Sequence, residues 1–107
     1  MRPNLAFTAA VILISTSSAA VAAGDAAAGK RLAEQSCASC HQVEPSSTAR
    51  DTAPPFQAIA AKSGNDPGWV RAWLSNPHPP MQGIDLSRQQ TDDIVAYLQS
   101  LAPKPKP

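Results

Sequence analysis

Four things are scarce in this chain of 107 residues: aromatic side chains, net charge, long apolar runs and sulfur. Aromatics are 5% of the sequence, and beyond residue 23 they are Phe56, Trp69, Trp73 and Tyr97. Much of the 43% nominally hydrophobic content is alanine, which contributes little burial per residue. A domain this small and this poor in large side chains needs a staple or a filler beyond its own residues. Nine Lys and Arg stand against eight Asp and Glu, so nothing in the charge argues for binding nucleic acid or an anionic membrane. No segment alternates polar and apolar residues as a strand does, and no internal repeat is visible.

The longest apolar run, Leu5 to Ile14, is about ten residues, half of the ~20 that a spanning helix needs. Arg2 precedes it, and a small-residue stretch from Ser15 follows, ending Ala20-Val21-Ala22-Ala23. That order is expected of a secretory signal peptide over residues 1–23, cut after Ala22 or Ala23. An uncleaved membrane anchor is the lesser alternative. Without Arg2 the charges balance at eight against eight, and the mature chain has no membrane span.

From Gly24 on, the pattern reads as a single all-α domain over 24–102, with three or four short helices and long loops. Asp25 is placed to cap a first helix reaching Ser36, with Gly29 inside it at a cost to helix stability. Gln42 to Pro55 reads as loop, and Phe56 to Lys62 as a short helix. Asp66-Pro67 opens a third helix, whose Trp69, Val70, Trp73 and Leu74 form one apolar face and which ends by Asn76. Ser87 and Gln90 make a capping box for a last helix to Leu101, with Ile94, Tyr97, Leu98 and Leu101 on one face. The tail, 103–107, is rich in Pro and Lys and reads as disordered.

The two cysteines, Cys37 and Cys40, fall in one motif with His41: Cys-Ala-Ser-Cys-His. C-x-x-C-H is the attachment signature of a c-type haem. Two thiols at that spacing can each form a thioether with a porphyrin vinyl group, and the next residue offers an imidazole to the iron. One covalently bound haem c would also supply the missing core. Three other readings are weaker. A Cys37–Cys40 disulfide closes a tiny loop, a thioredoxin-like pair needs a preceding strand, and a zinc site needs four ligands at paired spacing.

Elimination narrows the second axial ligand. Met81 is the sole methionine of the mature chain and His78 its sole histidine besides His41. Met81 stands about forty residues after His41, in a rigid loop between Pro79-Pro80 and Gly83 where core filling explains it poorly. Met81 is favoured, with His78 and then an open site as alternatives; a thioether favours ferrous iron.

On these residues the mature chain resembles the class I cytochrome c family over its whole length. GDAAAGKRLAEQSCASCH matches the family's first helix and haem box, PPM its methionine loop, and DIVAYLQSL its last helix. The resemblance implies that Gly29 and Tyr97 mark the crossing of the terminal helices. It implies that the Pro54 carbonyl accepts a hydrogen bond from the His41 ring, and that Phe56 packs on the haem. Trp69 or Trp73 would reach a propionate or simply pack. Many members carry an aromatic four residues after the glycine; Ala33 stands there, which implies looser packing of the two helices.

With iron closed on both faces, the expected function is one-electron transfer rather than catalysis, in the periplasm of a bacterium. The expected partners are redox proteins such as a dehydrogenase, an oxidase or a cytochrome complex, met by a monomeric shuttle. A dedicated subunit of a periplasmic oxidoreductase is the second reading. A ligand-binding or peroxidase-like haem protein is the third.

Overall fold

The computed structural model describes residues 24–50, 52–63, 66–76 and 83–104, with the single residues 3, 12, 79 and 81. Apart from residues 3 and 12, the signal-peptide reading lies outside the described residues, as do His78, Pro80 and residues 105–107 of the tail. Four helices form: α1 (Ala26–Ser36), α2 (Phe56–Ser63), α3 (Pro67–Ser75) and α4 (Arg88–Leu101). No strand occurs among the described residues, and none of their helices is long and apolar enough to cross a membrane.

Short helices of low apolar content depend on their ends, because the first-turn N–H groups have no partner within the helix. The Asp25 carboxylate accepts from the Ala28 N–H at 3.0 Å, and Asp66 accepts from that of Trp69 at 3.2 Å. At α4 the capping box closes in both directions. The Gln90 N–H donates to Ser87 Oγ at 3.1 Å, and the Ser87 N–H donates to Gln90 Oε1 at 2.9 Å. Each such cap contributes about 1 kcal/mol.

The terminal helices cross with their main chains in contact. A Cβ built on Gly29 would lie 1.9 Å from the Asp93 carbonyl oxygen and 2.9 Å from the Tyr97 Cβ. One on Gly24 would lie 1.9 Å from the carbonyl oxygen of Asp92. Between the two, the Asp25 N–H donates to Asp93 Oδ1 at 2.8 Å. Ala33, one turn on from Gly29, is 0% exposed. The crossing is therefore close rather than loose: small residues on α1 let α4 approach, in place of an aromatic side chain between them.

The core collects Ala33, Cys37, Val43, Phe56, Ala60, Val70, Ile94, Val95, Tyr97 and Leu98. From α4 it takes Val95 as well as Ile94, Tyr97 and Leu98, while Leu101 is half-buried. On α3 the expected four-residue apolar face is narrower than the spacing implies. Val70 is buried, Trp69 and Leu74 are half-buried, and Trp73 is 44% exposed. Trp73 stacks instead against Trp69, with ring centroids 5.7 Å apart at 50°.

Gly29 and Gly83 separate two uses of glycine. Gly83 has φ of +89°, with nothing within 4 Å of an added Cβ, so a side chain there costs backbone strain alone. Gly83→Ala should therefore lose about 1–2 kcal/mol. Gly29→Ala must push two helices apart and should lose about 3 kcal/mol or more. Thermal denaturation of the two variants checks the order, and the reverse order would contradict the close crossing.

Candidate cofactor site

The end of α1 is where the motif begins. Cys37 is its C-cap, and the N–H groups of Cys37 and Ala38 both donate to the Ala33 carbonyl, at 2.8 and 3.0 Å. The Cys37 carbonyl in turn accepts from the N–H groups of Cys40, at 3.1 Å, and His41, at 2.9 Å. The chain thus coils into a tight turn that keeps both cysteines and the histidine at one helix end. Cys37 is buried and Cys40 exposed, and both thiols are free. Burial pushes the Cys37 thiol up from its ordinary value. A helix rather than a strand leads into the motif, which is not the setting a thioredoxin-like pair needs. Among the described residues, no group of three or more His, Cys, Asp and Glu side chains is placed to hold a metal ion.

His41 is half-buried, and its Nδ1 lies 2.6 Å from the carbonyl oxygen of Pro54. A carbonyl can only accept, so Nδ1 carries the proton and donates. The lone pair on Nε2 is left for a metal, and the bond fixes the orientation of the ring. The sequence explains why the carbonyl is there. Ala53 and Pro54 each precede a proline, which drives both toward extended backbone, and Pro54 has no N–H to compete.

Phe56, the first residue of α2, is buried with its ring edge-on to the His41 imidazole, centroids 5.4 Å apart at 64°. Its other neighbour is Tyr97 of α4, at 6.2 Å. The Tyr97 hydroxyl donates to the buried Val43 carbonyl at 2.6 Å, and the Phe56 N–H donates to the Gln42 carbonyl at 2.9 Å. Lys30 on α1 pairs with Glu44. Val43 and Gln42, and Thr52, whose hydroxyl donates to the Cys40 carbonyl, are parts of this frame that the motif does not signal, since each bond runs through a main-chain carbonyl to a distant residue.

Cys37, Cys40, His41, Pro54 and Phe56 are therefore brought together. Trp69 is half-buried on α3 against Trp73, with Lys62 Nζ 5.8 Å from its ring centroid. Met81 is half-buried on the segment between α3 and α4. Neither enters the hydrogen bonds or ring contacts described for His41. The residues fit a covalently held haem: two free thiols at thioether spacing, an imidazole with its metal-binding nitrogen available, and the Phe56 ring against that imidazole with Tyr97 behind it.

An all-helical domain whose first helix runs into C-x-x-C-H, with the histidine anchored on a proline carbonyl, defines a c-type cytochrome. The cytochrome c family model matches residues 26–102, and the chain belongs to that family, in its class I branch. A cytochrome c-552 of Bradyrhizobium diazoefficiens is 36% identical over 94 residues, covering 87% of this chain and 90% of that protein. No solved structure gives a significant match. The chain is accordingly a haem electron carrier, an electron-transfer protein whose partners are redox proteins.

Tyr97 provides a test of the frame. Burial raises its hydroxyl above the ordinary value of 10.0, and the Glu44 carboxylate adds to the shift. Lys30 is also raised from 10.5, by its hydrogen bond to Glu44. In both cases the folded-state value lies above the unfolded one. The stability they contribute is complete below about pH 10 and falls as pH rises through the folded-state values. Tyr97→Phe should lose about 1–3 kcal/mol at neutral pH, because it orphans the buried Val43 carbonyl. It should also decline less steeply than the wild type above about pH 10, read by denaturant unfolding across the alkaline range. An equally steep decline would show that Tyr97 is not the group involved.

Proposed function

We propose that residues 24–102 form an exported one-electron carrier of the periplasm, holding one haem c through thioethers to Cys37 and Cys40. In this reading residues 1–23 are the signal peptide and 103–107 a tail outside the domain. His41 Nε2 is the proximal iron ligand and the Met81 sulfur the distal one. The observation that carries the reading is the 2.6 Å bond from His41 Nδ1 to the Pro54 carbonyl, which leaves Nε2 as the free donor. When bound, the haem supplies a one-electron iron couple.

The chain's own residues do the rest. Pro54 holds the imidazole and strengthens it as a donor, which favours ferric iron, while the soft Met81 thioether favours ferrous. Phe56 covers the imidazole edge and, with Trp69, packs on the haem, excluding water; the Trp69 indole N–H is available to a propionate. With His41 and Met81 both holding the iron, no substrate would reach the metal, and electron transfer would make and break no bond. Docking to a dehydrogenase, oxidase or cytochrome complex is then brief and reversible.

Purified wild-type protein should carry one haem that survives denaturation, as mass spectrometry of the unfolded chain would show. Met81→Ala should abolish the weak far-red Met–iron band of the ferric protein and let the ferrous protein bind carbon monoxide. An unchanged spectrum would overturn Met81. Cys37→Ala and Cys40→Ala should each lower the yield of folded holoprotein several-fold, because the domain loses a covalent tie to its core.

A further inference from the structure

Three consecutive residues, Cys40 and His41 of the motif and Gln42 just after it, each bond to a residue of the segment 52–56. The Thr52 hydroxyl donates to the Cys40 carbonyl at 2.9 Å, and His41 Nδ1 donates to the Pro54 carbonyl at 2.6 Å. The Phe56 N–H donates to the Gln42 carbonyl at 2.9 Å. The segment uses three different groups for this, a side-chain hydroxyl, a carbonyl and an N–H, on a bend that leads through Pro54-Pro55 into α2.

The first of these bonds bears on the peptide unit that joins Cys40 to His41. That unit is planar and rigid, so holding both of its polar atoms fixes the His41 N–Cα bond and leaves only rotation about it, which the ring's bond to Pro54 opposes. Its N–H donates to the Cys37 carbonyl at 2.9 Å, and its carbonyl is held by Thr52. The Cys40 carbonyl also lies beyond the last turn of α1, where carbonyls need partners from elsewhere. Thr52 is exposed, so its hydroxyl is not required to satisfy a buried group.

We infer that Thr52 is a positioning residue for the iron ligand: through the Cys40 carbonyl it holds His41 so that the ring keeps its bond to Pro54. This rests on the reading of His41 as proximal ligand. Without the hydroxyl, the peptide unit is held on one edge, the ring swings, and the Nδ1–Pro54 bond lengthens. The imidazole then donates less to the metal, and the ferric form loses more than the ferrous.

The test uses the full holoprotein with Thr52→Val, which keeps the shape without the hydroxyl, and Thr52→Ser, which keeps the hydroxyl. Thr48→Val, on the same exposed loop, is the control. Thr52→Val should raise the midpoint potential and speed solvent exchange of the His41 Nδ1 proton several-fold by NMR, with little change in melting temperature. Thr52→Ser and Thr48→Val should match the wild type in both. If Thr52→Val does not accumulate, Thr52→Ala takes its place with the same expectation. Wild-type potential and exchange in the hydroxyl-free variant would overturn the inference, as would a Thr52→Ser shift equal to that of Thr52→Val. A wild-type protein without covalent haem, or with a ligand other than His41, would instead remove the reading beneath it, and is seen before any variant is compared.

Discussion

Main-chain contact between α1 and α4 is the constraint from which the remaining arrangement follows. At Gly29 the two backbones are so close that no side chain fits between them, and the Asp25 N–H to Asp93 bond fastens the helix start. Hydrogen bonds from Asp25 and Gln89 also hold the Asp93 carboxyl below its ordinary range. Such a contact cannot slide by a residue, because every neighbouring position on α1 carries a Cβ. With the crossing set, Tyr97 reaches Val43, two residues past His41, and Phe56 fills the space between Tyr97 and the imidazole.

The site itself is held by carbonyls rather than by charges. Pro54 orients the His41 ring, Val43 receives Tyr97, and the Cys40 and Gln42 carbonyls tie the motif to the segment 52–56. Main-chain carbonyls do not titrate, and they move only if the backbone moves. A carrier that must change charge at its metal without rearranging is well served by such partners. The ion pairs Lys30–Glu44 and Arg71–Asp92 include more exposed side chains, and pairs of that kind contribute little to stability.

Burial is distributed in the same spirit. Ile94 is the large side chain with essentially no exposure among the described residues, and Phe56, Val70, Val95, Tyr97 and Leu98 are each about 5% exposed or less around it. Phe56 packs on the His41 imidazole and Tyr97 on Phe56, so apolar surface gathers beside the residues that would hold a haem. Attachment through Cys37 and Cys40 would then contribute to folding as well as to redox chemistry.

Local chemistry was legible in the sequence wherever a residue acts on its immediate neighbours. Asp25, Asp66 and the Ser87–Gln90 box cap their helices, the prolines break the chain where expected, and Cys-x-x-Cys-His declares the cofactor class, because each works within a few residues. The family pattern added the Gly29–Tyr97 crossing and the Pro54 bond, both of which the structure contains. Residues whose role lies in a distant contact were not legible. Nothing around Thr52 marks it as the partner of the Cys40 carbonyl, nor Val43 as the partner of Tyr97. Helical spacing also could not tell that Trp73 stands outside the core while Val95 is inside. One face of a helix can be read from periodicity, but how far a neighbour covers it depends on the crossing, and that is decided where Gly29 meets Asp93.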